Sequence, residues 1–432
     1  MTSWATRFRL QQYAKASLWI VPLFGLVLGV ALAEVAAAVD GASWLPMSWD
    51  YSASTASSVL SSVVGAMIAL LGFVVTIGVL VIQQATGTLS PRYMRLWYRD
   101  RLQKAVLATF TGTFAFAYTL LRSIETNSVP NLGVTLAGVA VSVSLLLLLI
   151  YLNRFTHNLR PVAIADIVGR LGEQVLDRMA AHAGDTAASD KVSPAGSPVA
   201  RIRSERGGVI QALDAAGLVS LAARHDCLFV LAASVGDFVP PRGAVVEIHG
   251  GAPTPDPRLV TGLLALGAER TIEQDPAFAL RILVDIAIRA LSPAVNDPTT
   301  AVQVLNHIEA FLHAVGRAGT RAHYVLADDR GRPRVVVPGR PWENYLELAV
   351  TEIRDYGATS VQVCRRLRAL LEGLLAVLPD GCGPALRAEL DLLDDAAAAA
   401  FPDAARRVDA RTADPQGIGG RRHHDAPPGT SR

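Results

Sequence analysis

The chain has little charge for its length. Only 18% of its 432 residues are charged, whereas 51% are hydrophobic and the mean hydropathy is +0.33. Soluble proteins average about 25% charged residues, so the composition argues against an ordinary soluble protein. The 40 Lys and Arg nearly balance the 38 Asp and Glu, for a formal net charge of +2. That balance gives no support to a nucleic-acid partner, which would need a strongly basic face.

Cysteine is also scarce, and the signatures of catalysis are missing. Cys227, Cys364 and Cys382 are far apart and form no CxxC or Cys/His motif. Their spacing argues against a disulfide framework and a zinc site, and it is typical of a reducing environment. No GxSxG, HExxH, Walker or GxGxxG string lies in a context that supports chemistry. We therefore predict that the protein is not an enzyme and has no catalytic residue, cofactor or metal site.

The hydrophobic residues are concentrated before residue 155. Four apolar stretches there approach or exceed the length of about 20 residues that a membrane-spanning helix needs. We predict spans at about residues 17–39, 57–83, 105–121 and 132–152, within a transmembrane domain of residues 1–160. The lipid bilayer is therefore the first expected partner.

The basic residues predict the orientation of these spans. They lie before the first span and in the loop that follows the second: Arg7, Arg9, Lys15, Arg92, Arg95, Arg99, Arg101 and Lys104. The loop between the first two spans has none, and basic residues mark the cytoplasmic side. We expect a multi-pass protein of the cytoplasmic (inner) membrane with both termini in the cytoplasm. A cleaved signal peptide is an alternative for the first stretch, but its charged leader is long and its apolar residues continue past Ala33.

The rest of the chain predicts a cytoplasmic α+β domain made of a small β-rich subdomain and a helical bundle. Its expected segments are a stalk helix at 161–183, a linker at 184–204, the β-rich subdomain at 205–252, a mostly helical part at 253–400 and a disordered tail at 401–432. Within the helical part, Asp328-Asp329-Arg330-Gly331-Arg332 between two short apolar runs predicts a β-hairpin. The fold class is an α-helical membrane protein with four transmembrane helices followed by this domain.

Three strings and one loop resemble a known family. They are GAERTIEQD at 267–275, LVDIA at 283–287, ALSPAVNDPTTA at 290–301, and the loop containing Ser90-Pro91-Arg92 and Arg99-Asp100-Arg101. Together they are similar to the bacterial membrane-protein family catalogued as domain of unknown function 2254. The resemblance covers nearly the whole chain to about residue 400. It implies a predicted membrane protein and brings no known activity with it.

The same strings contain a candidate polar cluster. Its members are Arg270, Gln274, Asp275, Asn296 and Asp297. If they converge, these side chains can bind a small ligand or a cation. The structural alternative is that Asp297 is an N-cap and Pro298 the first residue of a helix, an arrangement that needs no ligand.

Small and hydroxyl-bearing residues recur along the second predicted span, which we call the small-residue face. They are Ser58, Ser61, Gly65, Ala69, Gly72 and Thr76. Packing against another helix of the same bundle is the favoured explanation, and a pore lining is the alternative. Two function classes therefore stay open. One is a membrane-anchored scaffold or sensor whose cytoplasmic domain binds an unidentified partner or small ligand; the other is an ion channel. For either we expect a homo-oligomer.

Overall fold

A computed structural model divides the chain into two compact units. Its described residues are 3–39, 50–88, 92, 99–125, 129–158, 160–183, 196–251 and 253–419. The four-helix unit comprises Gln11–Arg160, and the α/β unit comprises Met1–Leu10 together with Pro161–Arg432.

In the part of the chain that the structure describes, five α-helices precede residue 159. They are α1 (Trp4–Ala16), α2 (Ile20–Val39), α3 (Ala53–Thr88), α4 (Arg101–Ser123) and α5 (Asn131–Asn158). Helices α2 to α5 are long and apolar enough to cross a membrane, as the sequence predicts. Helix α1 begins in the α/β unit and ends in the four-helix unit.

Helices α2 and α4 pack with their backbones in close contact. A Cβ atom on Gly25 would collide with the carbonyl oxygen of Ala108, and one on Gly29 would collide with that of Gly112. Small residues four positions apart on both helices allow this approach, which is the usual way that helices associate closely in lipid. The spacing is visible in the sequence as GLVLG in α2.

The α/β unit contains eight strands and nine further α-helices within its described residues. They are α6 (Pro161–Ala183), β1 (Ala200–Arg203), β2 (Gly208–Leu213), α7 (Ala215–Arg224), β3 (Cys227–Leu231), β4 (Phe238–Val239), β5 (Ala244–Gly250), α8 (Pro257–Thr261), β6 (Leu264–Gly267), α9 (Pro276–Ala290), α10 (Pro298–Ala318), β7 (His323–Ala327), β8 (Pro333–Pro338), α11 (Trp342–Gly357), α12 (Val361–Val377), α13 (Gly383–Ala400) and α14 (Ala404–Ala410).

The strands form two sheets that share one hydrophobic core. One sheet has the order β1-β5-β3-β8-β7 and the other β4-β2-β6. All neighbours are antiparallel except β3 and β8, which pair in parallel through Phe229 with Val335 and Val230 with Val336. Phe229, Ile248 and Ile210 are fully buried in this core. Burial of such large apolar side chains is the main source of stability for this part of the unit.

The sheet extends beyond the predicted β-rich subdomain of residues 205–252. Strand β1 lies within the predicted linker 184–204, and residues 184–195 of that linker lie outside the described residues. The predicted hairpin is present as β7 and β8, but it joins the larger sheet through the parallel β3–β8 pairing. That pairing links residues more than 100 positions apart, so no local pattern in the sequence indicates it.

Two further segments differ from the predicted organisation. Helix α6 has the bounds of the predicted stalk, but it packs against α9 and α10, and Gly172 lies where a Cβ would clash with Phe311 and Ala279. In the predicted disordered tail 401–432, α14 packs against α12, and the Arg365 guanidinium donates to the Thr412 carbonyl at 3.1 Å. Contacts with α12 order this segment despite its polar composition. Residues 420–432 lie outside the described residues.

Candidate functional site

The five residues of the predicted polar cluster lie at two ends of one helix. Arg270, Gln274 and Asp275 precede α9, whereas Asn296 and Asp297 follow it. The 15 residues of α9 separate the two groups by about 22 Å at 1.5 Å per residue. The structure therefore does not bring the five side chains into one cluster.

Asp275 is the buried member of the first group. It is 4% exposed and caps α9, with its Oδ1 accepting a hydrogen bond from the Phe278 N–H at 3.1 Å. The other carboxylate oxygen, Oδ2, accepts no hydrogen bond from the described residues and lies 3.8 Å from the Arg270 Nε. A buried carboxylate oxygen without a hydrogen-bond donor is unusual, because burying a polar atom without a hydrogen bond is unfavourable.

A glycine turn covers Asp275. Arg270 Nε donates to the Gly236 carbonyl oxygen at 2.6 Å, and Gly236 has a φ of 96°. Glycine is required here twice over, because the φ is left-handed and a Cβ would collide with the Asp275 Oδ2. We call this contact between the 234–237 turn and the first residue before α9 the Asp275 junction.

Burial dominates the electrostatics of the junction. It raises the pKa of Asp275 to about 6, an increase that Arg270, the Phe278 N–H and Arg340 oppose and that Asp237 reinforces. Burial likewise raises the pKa of the Tyr345 phenol, with Asp275 contributing in the same direction. The Arg340 guanidinium lies 6.0 Å from the centre of the Tyr345 ring. The Asp275 carboxyl group can therefore hold or release one proton near neutral pH.

Gln274 has a structural role. Its side-chain oxygen accepts from the Leu213 N–H at 2.9 Å, and its side-chain nitrogen donates to the Leu213 carbonyl at 3.1 Å. The amide thus satisfies both backbone groups at the end of β2, as a neighbouring strand would. Both polar atoms of the Gln274 amide therefore bind the sheet and are not directed at a ligand.

Asn296 and Asp297 form the connection from α9 to α10. Asn296 has a φ of 48°, and the Asp297 N–H donates to the Ala290 carbonyl at 2.7 Å. Asp297 caps α10, with its Oδ1 accepting from the Thr300 N–H at 3.0 Å and its Oδ2 from the Thr300 hydroxyl at 2.5 Å. Asp297 is the N-cap and Pro298 the first helical residue, as the structural alternative predicts.

The first turn of α1 is a second feature that sequence reasoning missed. Ala5 is 4% exposed and packs against Ala212 and Ala265 of the β4-β2-β6 sheet, and its N–H donates to the Gly262 carbonyl at 2.9 Å. Trp4 and Phe8 stack with ring centres 5.3 Å apart beside this contact. In the sequence, the basic residues of this segment mark it as a leader, and that signal conceals its apolar face.

The small-residue face of α3 lies open. All six of its residues, from Ser58 to Thr76, are exposed, and nothing in the described residues lies within 4 Å of a Cβ built on Gly65 or Gly72. Helix α3 instead buries a different face, including Leu60, Met67 and Val74. Within the described residues, the structure therefore does not show the expected packing of the small-residue face against another helix of the same chain.

Comparison with known proteins identifies the family of the chain. Residues 15–373 match the family model described as "Predicted membrane protein (DUF2254)". The chain is 29% identical over 416 residues to the uncharacterized proteins Mb1321c of Mycobacterium bovis and Rv1290c of Mycobacterium tuberculosis, covering 92% of this chain and 79% of each relative. No solved structure matches the chain. Because the family model covers most of its length, this chain belongs to the DUF2254 family of predicted membrane proteins.

Proposed function

We propose that the protein is a membrane-anchored sensor in which the α/β unit controls the state of the four-helix unit. One observation carries the proposal: the first turn of α1 packs on the β4-β2-β6 sheet through Ala5, and the same helix continues into the four-helix unit. A helix transmits displacement along its axis, because its backbone hydrogen bonds are satisfied internally. A shift of the sheet would therefore move the start of the membrane helices.

The chain leaving the four-helix unit is held in the same way. Helix α6 starts at Pro161, next to the last residue of that unit, and packs against α9 and α10. Both chain connections of the four-helix unit thus lead into helices that pack within the α/β unit. This arrangement fits a domain that reports a binding event or a change of conditions, and it requires no catalytic chemistry.

We further propose that the protein lies in the cytoplasmic membrane with both termini in the cytoplasm. The support is the distribution of Lys and Arg in the sequence, with basic residues before α2 and after α3 and none in residues 40–56. Arg95, in the basic loop, lies outside the described residues. In this orientation the α/β unit samples the cytoplasm.

The test uses spin labels on the outer surface of the four-helix unit. Val27 on α2 and Leu146 on α5 are 59% and 57% exposed, so Cys substitution and labelling leave the packing intact. In this labelled full-length protein, Ala5→Asp places a charge against Ala212 and Ala265 and should release α1 from the sheet. Pulsed electron paramagnetic resonance should then show a changed Val27–Leu146 distance distribution.

Thr6→Asp is the matched control, because Thr6 lies in the same turn but is exposed. It should leave the distance distribution unchanged. Identical distributions for the parent, Ala5→Asp and Thr6→Asp, with Ala5→Asp shown by hydrogen exchange to release α1, would rule out transmission through α1.

A second candidate function is an oligomeric pore lined by α3. The observation that favours it is the open small-residue face. This face has hydroxyl groups at Ser58, Ser61 and Thr76, and no described residue lies within 4 Å of a Cβ built on Gly65 or Gly72. Hydroxyls and exposed carbonyls can line a wet path without charge. Ion flux from liposomes containing the parent protein, lost in a folded Gly72→Leu variant, would favour this function over the sensor alone.

A further inference from the structure

We infer that the Asp275 junction is a pH-responsive contact that closes when Asp275 is protonated and opens when it is ionised. This inference rests on the proposed function, since it names the signal that the α/β unit would sense. The junction joins a turn of the sheet layer, residues 234–237, to the N-terminus of α9, on which α6 packs.

The two oxygens of the Asp275 carboxylate differ in their hydrogen bonding. Oδ1 of Asp275 is committed to the Phe278 N–H, whereas Oδ2 lies buried against Gly236 with no hydrogen-bond donor among the described residues. When ionised, Asp275 leaves charge on a buried oxygen that accepts no hydrogen bond from the described residues and that lies 3.8 Å from the Arg270 Nε. Closing the junction over the neutral acid avoids that penalty.

The charged and titratable groups around Asp275 come from every element at the junction. Arg270 lies in the segment before α9, Asp237 in the turn, Arg340 before α11, and Tyr345 on α11. The two arginines favour the ionised carboxylate and Asp237 disfavours it, but burial is the largest effect and favours the neutral acid. The balance therefore favours proton uptake when the junction is closed.

The direction of the pH response follows from the pKa of Asp275 in the closed and in the open junction. In the closed junction the pKa of Asp275 is raised to about 6, and in an open, solvated junction it returns toward its ordinary value of 3.8. The state with the higher pKa is favoured by protons, so acidification favours closure. Between pH 7 and pH 5 the ratio of closed to open molecules should rise about tenfold.

Hydrogen–deuterium exchange on the full-length protein in lipid nanodiscs measures this ratio. The reporter is the segment around the Phe278 amide, which loses its cap when Asp275 moves out. After correction for the pH dependence of chemical exchange, its protection should rise about tenfold from pH 7 to pH 5 in the parent. Asn is isosteric with Asp and caps a helix equally well, so the protection of this segment in Asp275→Asn should be pH-independent over this range.

Asp297→Asn is the matched control, because Asp297 caps the next helix with the same Asp-Pro pair and both its oxygens have donors. It should keep the response of the parent at Phe278. Arg270→Gln removes the strongest opposing charge and should move the midpoint to higher pH. An absent response in the parent, or an unchanged response in Asp275→Asn, would overturn the inference.

The labelled Val27–Leu146 pair separates this inference from the proposed function. If Phe278 protection responds to pH while the label distances do not, the junction is pH-responsive and transmission to the four-helix unit fails. If Ala5→Asp alters the distances while Phe278 protection ignores pH, transmission stands and the pH-responsive junction fails.

Discussion

Asp275 and Asp297 cap consecutive helices with the same Asp-Pro pair, but only Asp275 is buried with an unsatisfied oxygen. Asp275 is 4% exposed, and its Oδ2 has no hydrogen-bond donor within the described residues. Asp297 is partly exposed, and Thr300 donates to both of its oxygens. The same local motif therefore yields a buried carboxylate with one unsatisfied oxygen at one end of α9 and a carboxylate with both oxygens hydrogen-bonded at the other.

Asp275→Asn should stabilise the protein at neutral pH. Because the folded-state pKa of Asp275 is raised from 3.8 to about 6, its stabilising contribution is full below pH 4 and is lost as pH rises through 6. Two pKa units correspond to at most about 3 kcal/mol. The melting temperature of Asp275→Asn in detergent should thus exceed that of the parent at pH 7.5.

The difference in melting temperature between Asp275→Asn and the parent should disappear near pH 4, where the carboxyl group is protonated. Asp297→Asn, measured in the same series, should show no comparable gain at pH 7.5. A gain from Asp275→Asn that is equal at both pH values would mean that the carboxylate does not titrate in this range.

Asp297→Ala should lower stability by about 1 kcal/mol, because it removes the side-chain cap of α10. Chemical denaturation in detergent measures the loss, and Asp297→Asn should restore most of it. Since Asn296 and Asp297 lie far from Arg270 and Asp275, the parent and Asp297→Ala should respond alike to divalent cations and nucleotides. A thermal shift specific to the parent would revive the ligand-binding hypothesis for this group.

Two glycine substitutions in the four-helix unit should differ in their effect on the free energy of unfolding. Gly29→Leu inserts a side chain where α2 contacts the Gly112 backbone, and we expect a loss of about 3 kcal/mol. Gly72→Leu places the same side chain in open space, so the free energy of unfolding should change by less than about 0.5 kcal/mol. Thermal unfolding in detergent compares the two.

Gly72→Leu also tests whether the small-residue face joins copies of the chain. Light scattering should show a homo-oligomer for the parent and smaller species for a folded Gly72→Leu variant if that face is the contact. An unchanged oligomer would place the contact elsewhere.

Cysteine labelling tests the proposed orientation in intact cells. A single Cys at Asp50, in the loop between α2 and α3, should react with an impermeant thiol reagent from outside. A single Cys at the exposed Ser197, in the α/β unit, should react only after the membrane is opened. Labelling of the Cys at position 197 from outside would show that the orientation is the reverse of the one proposed.

The sequence predicts those parts of the fold that depend on local pattern. Apolar runs of sufficient length identify α2 to α5, and Asp-Pro identifies the start of α10. The parallel pairing of β3 with β8 depends on contacts between distant residues, so periodicity could not reveal it. The same holds for the exposure of Gly72, because a small residue favours close packing without specifying a partner.

The candidate site was predictable only in part. Sequence proximity places Arg270 beside Asp275, and the structure keeps them together. Gly236, which covers Asp275, lies about 40 residues earlier in the chain, so nothing in the sequence links the two. The N-terminal contact at Ala5 was hidden because basic residues dominate the composition of its segment.

The most direct test of transmission is a pH titration of the distance distribution between spin labels at Val27 and Leu146 in full-length protein in nanodiscs. The parent should show a transition between about pH 6 and pH 4, the range over which the pKa of Asp275 differs between the closed and the open junction. Asp275→Asn should show none, although the substitution lies in the α/β unit and the labels lie in the four-helix unit. Ala5→Asp should also abolish the transition, whereas Thr6→Asp should preserve it. A transition that persists in Ala5→Asp would contradict transmission through α1.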